Sequence, residues 1–333
     1  MSVREGAAAV TAARAGDESA FAALVEPHRR ELQVHCYRML GSFEDAEDLV
    51  QETFLRAWRS RESFEGRSSF RAWLYRIATN ACLDALDRRP RLAAVQDGAQ
   101  PLAEVPWLQP YPDQLLEGVP ASDAEPEAEV VAKETIELTF IAAIQLLPSR
   151  QRAVLIARDV LGWSAAESAA LLDVSVAAAN SALQRARATL KEHLPRHRVD
   201  WAPGSDPSRE ERRLLQRYMV ATERGDAAGM VELLREDAFC AMPPQPEWYV
   251  GAEAIVEAWV RGGFGDDSWG HLRCVLTKAN TQPAVACYVK RAGDSEYRPL
   301  ALDVLRIENG EVAEIIAFEL KPLLKALGLP PRL

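Results

Sequence analysis

Two groups of side chains in this sequence are spaced to do chemistry, and one isolated carboxylate is out of place in its pattern. Asp45, Asp48 and Glu52 fall at i, i+3 and i+7, so a helix would set three carboxylates on one face. Such a face suits a basic partner surface, with a merely solvated charged face as the alternative. Asn180, Gln184, Arg187 and Lys191 recur on one side of a second helical pattern, with Ala177, Ser181 and Arg185 alongside. Amides and guanidinium groups in that arrangement can meet the base edges and phosphates of DNA. Asp303 stands apart from these groups: it interrupts an apolar strand pattern, and a paired structural carboxylate is one reading of it.

The elements that must carry these residues divide into three modules. In the first, Ala46, Leu49, Val50, Thr53 and Ala57 repeat with helical spacing, as do Phe70, Trp73, Leu74, Ile77 and Ala81. The polar loop 62–69 separates them. These patterns predict a helical bundle over 1–92. In the second module, 135–198, Leu147-Pro148 opens a helix and Leu161-Gly162-Trp163 closes it. Ser164-Ala165-Ala166-Glu167 is a capping box, and Ser175 is placed to cap the helix after it. There Val176, Ala179, Leu183, Ala186 and Leu190 form the expected inner face. A short helix, a tight turn and a longer helix with polar residues outward is the helix-turn-helix plan. The third module, 207–333, begins with helices, Asp206-Pro207 capping the first and Gly225-Asp226 starting the second. It continues with strand-like runs at 271–277, 284–290, 300–307 and 311–318, the last two flanking the hairpin signal Asn309-Gly310. That order predicts an α+β domain.

Between the modules lie two linkers. Residues 93–134 are rich in Pro, Ala and acids around one apolar island, 105–112, and 199–206 form a shorter break.

The chain has 333 residues and a net charge of -10, unevenly spread: 0 over 1–92, -8 over 93–134, +3 over 135–198 and -5 over 199–333. Non-specific DNA affinity rests on phosphate neutralisation, so an acidic chain of this kind needs a partner that brings positive charge. Five dispersed cysteines with no C-x-x-C exclude a disulfide framework and a zinc ribbon, and suggest a reducing cytoplasm. No apolar run is long enough for a membrane span, and no signal-peptide core forms at the N-terminus.

The first two modules resemble one family. Residues 45–58, DAEDLVQETFLRAW, look like conserved region 2.2 of a bacterial sigma-70 factor, and 68–80, SSFRAWLYRIATN, like regions 2.3 and 2.4. LLPSRQR at 146–152 and SALQRARATL at 181–190 look like region 4. With regions 1.1 and 3 absent, the resemblance is to the extracytoplasmic-function (ECF) subfamily. The third module resembles the SnoaL-like branch of the cone-shaped NTF2-like folds, which some ECF sigma factors carry as a C-terminal extension. The expected fold is therefore multidomain: two all-α helical domains followed by an α+β cone.

The resemblance implies an initiation factor, not an enzyme, that recruits RNA polymerase core to specific promoters. It implies no catalytic residue, cofactor or metal. Asp45, Asp48, Leu49, Gln51, Glu52 and Phe54 would meet the polymerase, chiefly its β′ subunit with β as neighbour. Arg67, Ser68, Phe70, Arg71, Arg76, Asn80, Arg88 and Arg89 would meet a melted -10 element. Ala177, Asn180, Ser181, Gln184, Arg185, Arg187 and Lys191 would meet the -35 element in the major groove. Many relatives have basic residues where this chain has Asn180 and Ala182. Trp248, Tyr249, Trp259, Trp269, His271 and Asp303 would line a ligand cavity if the third module has one; folds of that branch hold Asp/His pairs acting as general acid and base, for which the resemblance makes Asp303, His271 and Asp237 the candidates. Two uses of that module remain open: regulation in cis, with linker and module contacting the sigma regions, or a cyclase- or isomerase-like or ligand-sensing activity fused to a DNA-binding part.

Overall fold

The computed structural model of the chain describes residues 3–66, 69–89, 105–116, 136–193, 208–266 and 269–333. They fall into two compact units. The first comprises Met1–Ala94, Leu115–Thr135 and Ala143–Pro195; the second comprises Val95–Gln114, Ile136–Ala142 and Arg196–Leu333.

The first unit is helical. Its elements are α1 (Val3–Arg14), α2 (Glu18–Val25), α3 (Arg29–Leu40), α4 (Phe43–Arg59), α5 (Phe70–Arg88), α7 (Ser149–Leu155), α8 (Ala165–Leu172) and α9 (Val176–His193), with α6 (Leu138–Gln145) crossing the division after Ala142. Helix α3 is central, buried continuously from Glu31 to Leu40. It ends at Gly41, whose φ of 69° gives the left-handed turn and whose missing Cβ leaves room for the side chain of Gln145. Ser42 and Ser69 cap α4 and α5 through their hydroxyls. Helix α4 buries Ala46, Val50, Thr53 and Ala57 as the spacing predicts. On α5 the buried stripe is rotated in part: Leu74 and Ala81 are inside as expected, Tyr75, Ala78, Thr79 and Cys82 join them, and Phe70, Trp73 and Ile77 are half-buried. The cause is that α5 packs against α3 and α4 and also against α7 and α8, while His35 of α3 and Trp163, just before α8, meet the Tyr75 ring.

Helix α7 runs on into a π-helical segment, Ile156–Val160. Both bonds of the predicted capping box form at α8: the Glu167 N–H donates to Ser164 Oγ at 3.2 Å, and the Ser164 N–H donates to Glu167 at 2.8 Å. Asp173 (φ 54°) ends α8, and Ser175 accepts from the Ala178 N–H to cap α9. Ala179, Leu183, Ala186 and Leu190 are inside as expected. Val176 is not: it is 44% exposed.

The second unit is α+β as expected, but its third helix follows the first two strands instead of preceding the whole sheet. It holds α10 (Arg209–Arg224), α11 (Ala227–Val231), α12 (Ala252–Arg261) and strands β1 (Leu234–Ala241), β2 (Trp248–Val250), β3 (His271–Ala279), β4 (Gln282–Lys290), β5 (Arg298–Glu308) and β6 (Glu311–Glu319). The sheet order is β2-β1-β6-β5-β4-β3, with β1 and β6 parallel and every other pair antiparallel. Leu214, Leu215 and Tyr218 of α10 pack in one core with Val285, Leu305 and Ile315 of the sheet. Asn309 and Gly310, both at positive φ, make the predicted hairpin. The expected cap at Asp206-Pro207 lies outside the described residues. Helix α10 has its own capping box, Ser208 with Glu211.

Two stretches from outside the third module are built into this unit by the β3–β4 turn. The N–H of Asn280 donates to the Tyr111 carbonyl at 2.8 Å, and its Oδ1 accepts from the Tyr111 N–H at 2.6 Å. Its Nδ2 donates to the carbonyl of Ile136. The Thr281 N–H donates to Asp113, and Gln282 accepts from the Leu138 N–H at the start of α6. Thr139 donates to Glu314, and Gln114 to the Leu327 carbonyl. Val105, Leu108 and Tyr111 of the apolar island are buried.

Candidate nucleic-acid interface

On α4, Asp45, Asp48 and Gln51 are exposed, Leu49 and Phe54 half-buried. Glu52 is committed within the chain: Arg56 donates to it at 2.8 Å and to Asp84 at 2.7 Å. The Phe54 ring lies under the Arg29 guanidinium at 5.0 Å, and Asp45 pairs with Arg89. The sequence reading missed Leu55. It sits one turn after Gln51, outside any apolar stripe, and is 51% exposed.

Of the residues expected at a melted strand, Arg67 and Ser68 lie outside the described residues. Phe70 packs with Phe64 and Trp73 at centroid distances of 5.4 and 5.5 Å. Arg71 donates to Glu31 at 2.7 Å and lies over the Tyr75 ring at 4.9 Å, which makes it part of the packing between α3 and α5. Burial alone would raise the Glu31 carboxyl, but the hydrogen bond from His28 and the Arg71 guanidinium outweigh it and hold it below its ordinary value. Arg89 donates to the Leu40 carbonyl, and Arg88 to the Asp84 carbonyl. Arg76 and Asn80 are exposed on α5. Asn80 lines a cleft of about 400 Å³ with Asp84 and Asp87 of α5 and Ser149 and Arg150 of α7.

Ala177, Asn180, Ser181, Gln184, Arg185, Arg187 and Lys191 are all exposed on α9. Arg187 is held by Asp159 of the π-helical segment through two bonds of 2.9 and 2.6 Å, which ties α9 to the segment that continues α7. Asn180, Ser181, Gln184 and Arg185 thus share an exposed face that a base edge or phosphate can approach.

Within the same unit, the last carbonyls of α3 are satisfied from afar. Gln145 donates to the Arg38 carbonyl at 3.1 Å. The buried Arg152 donates to the carbonyls of Met39, Gln145 and Leu147 and to Gln145 Oε1. Burial lowers this guanidinium to about 9, so it stays charged at neutral pH beside a helix C-terminus that favours a cation. Trp163 meets Tyr75 at 5.5 Å.

Asp303, His271 and Asp237 do not converge. Asp303 accepts from the Tyr218 hydroxyl at 3.0 Å and lies 3.8 Å from the Cys287 thiol. Burial raises its carboxyl to about 6, against the lowering effect of those two bonds. His271 is exposed opposite Lys290, whereas Asp303 pairs with Val285, five residues along β4. At about 3.3 Å per residue that is roughly 17 Å, too far for an acid–base pair. Asp237 is exposed and bonded to Arg235, and Trp248 is exposed against Phe239. Trp259 and Trp269 flank Phe264, and Tyr249 packs against the core.

Sigma-70 region 2 matches residues 24–92, and Sigma-70, region 4 matches residues 138–190. The chain is 43% identical over 330 residues to the ECF RNA polymerase sigma factor SigG of Mycobacterium tuberculosis, covering 96% of this chain and 86% of that protein. It is 32% identical over 179 residues to the ECF RNA polymerase sigma factor SigW of Bacillus subtilis, covering 54% of this chain and 91% of the other. The crystal structure of the extracytoplasmic function sigma factor SigJ of Mycobacterium tuberculosis shares the fold, with a TM-score of 0.57 at 22% identity over 92% of this chain and 99% of that one.

Proposed function

The chain belongs to the extracytoplasmic-function family of RNA polymerase sigma factors, and on that premise we propose that its α+β unit controls in cis how regions 2 and 4 engage polymerase and promoter. As a sigma factor it acts with RNA polymerase core and promoter DNA in transcription initiation. In our reading it does so in the cytoplasm and without a catalytic step of its own. The α4 face of Asp48, Gln51 and Leu55 takes the β′ subunit. Arg76, Asn80 and Arg88, with Arg67 and Ser68, take the -10 element, and the exposed face of α9 takes the -35 element in the major groove.

The observation that carries control in cis is the β3–β4 turn. One turn of the α+β unit binds both the apolar island of the linker and the segment that starts α6. Those stretches belong to the chain that joins the two matched regions, so holding them limits the reach of that tether. Regions 2 and 4 must contact two separate DNA elements at once, and a shortened tether opposes this.

The test is run-off transcription from a promoter library with purified core polymerase, comparing the full chain with Asn280→Gly. Glycine keeps the positive φ of the turn and removes both side-chain bonds. The expected result is promoter-selective transcription by both proteins, at a rate that the substitution changes several-fold. Equal rates would remove the control in cis and leave the initiation function standing.

A further inference from the structure

The exposed face of α9 has few cations for a DNA-reading surface. In helix-turn-helix docking, the N-terminal turns of the recognition helix reach base edges, and later turns approach the backbone. From Val176 to Gln184 the exposed side chains are Val176, Ala177, Ala178, Asn180, Ser181 and Gln184, with no Lys or Arg among them. Arg185 is the first cation. Arg187 is tied in two bonds to Asp159, and Lys191 lies about 22 Å along the helix from Val176. Guanine is most often read by Arg or Lys donating to O6 and N7. Asn and Gln pair with N6 and N7 of adenine, and small apolar side chains meet the thymine methyl. Val176 adds a second signal. Its periodicity puts it on the inner side, yet as the first residue of α9 it has no preceding turn to cover it and stays 44% exposed.

Resting on the assignment of α9 to the -35 element, we propose that this helix selects a -35 element made mainly of A·T pairs. Asn180 and Gln184 read adenines, Val176 and Ala177 cover thymine methyls, and Arg185 is the one side chain on this face suited to a guanine. Arg187 is a positioning residue. Its ion pair sets the pitch of α9 against the π-helical segment, so it does not report on base identity.

The experiment is run-off transcription with core polymerase from templates randomised across the -35 element, followed by sequencing of the transcribed templates. The full chain is compared with Asn180→Arg, Gln184→Ala and Val176→Ser, all exposed positions that leave the fold intact. The wild-type chain is expected to enrich A or T at most -35 positions. Asn180→Arg should switch one position from adenine to guanine by about tenfold, and Gln184→Ala should lose about fivefold of the preference at a second. Val176→Ser should weaken a thymine preference at a third. Selection of a guanine run by the wild-type chain, or unchanged preferences in Asn180→Arg and Gln184→Ala, overturns the proposal and leaves the sigma function standing. Silence from every template, with core polymerase active alongside another initiation factor, overturns the sigma assignment and the proposal with it.

Discussion

Asn280 and Tyr111, 169 residues apart, are joined by two hydrogen bonds, one through the Asn280 backbone and one through its side chain. The left-handed turn at Asn280 and Thr281 aims one amide side chain at the linker and at Ile136 together. Each side-chain bond contributes about 1 kcal/mol net, so Asn280→Gly should weaken docking of 105–114 by roughly 2 kcal/mol. Amide hydrogen exchange at Tyr111 should speed up about thirtyfold, with exchange in the β4 and β5 amides unchanged. Equal exchange in both proteins would mean that burial of Val105, Leu108 and Tyr111 alone holds the segment.

Asp113 makes the same docking depend on pH. Burial pushes its carboxyl from the ordinary 3.8 up to about 6, with the Thr281 N–H and Lys278 pulling the other way. The docked form therefore holds its proton more tightly than the released form. Docking is strongest below about pH 4, weakens as the pH rises through about 6, and is level above that. Asp113→Asn keeps an acceptor for Thr281 and removes the slope. Hydrogen exchange at Thr281 across that window, corrected for the intrinsic rate, should show the dependence in the wild-type chain and none in the variant. A flat wild-type profile would contradict the assignment.

What the sequence disclosed follows from how locally each feature is determined. The capping box at Ser164 and Glu167, the hairpin at Asn309-Gly310 and the stripe of α4 need only their own neighbours, and each is where spacing puts it. Strand β1 was hidden because Arg235, Glu236 and Asp237 break its apolar alternation; its place is set by parallel pairing with β6, far along the chain. The rotated face of α5 depends on α7 and α8 packing against it and on Trp163 meeting Tyr75, and the commitment of Arg71 depends on Glu31 of α3. Residue type and helical face told which side chains could touch DNA. Which of them are already occupied by partners inside the protein, such as Arg71, Arg89 and Arg187, was decided by tertiary contacts that no spacing encodes.

Arg152 is the donor for the C-terminus of α3 and for the turn into α7 at once. Arg152→Met fills much of the volume and leaves three buried carbonyls and the Gln145 side chain without that donor. The expected cost is about 3 kcal/mol, a fall of roughly 6–10 °C in the first calorimetric transition. Arg152→Lys should recover part of it by reaching one or two of the acceptors. A midpoint within a degree of wild type in the methionine variant would show that the carbonyls find other partners.

Leu55 separates partner binding from folding. Its side chain is half outside the protein on the face that also presents Asp48 and Gln51, so it contributes little to the core of the first unit. An exposed leucine surrounded by charges gains most of its burial only when a partner covers it. Leu55→Asp adds a carboxylate to an already acidic face, which preserves attraction to a basic surface and removes the apolar contact. Affinity for core polymerase should therefore fall by about tenfold, while the unfolding midpoint stays within about 1 °C. Asp48→Ala should act differently: as a charge on the rim of the interface, it should slow association and flatten its salt dependence more than it speeds dissociation. Binding kinetics measured at two salt concentrations distinguish the two side chains. If Leu55→Asp binds core polymerase as tightly as the wild-type chain, α4 engages its partner through charge alone.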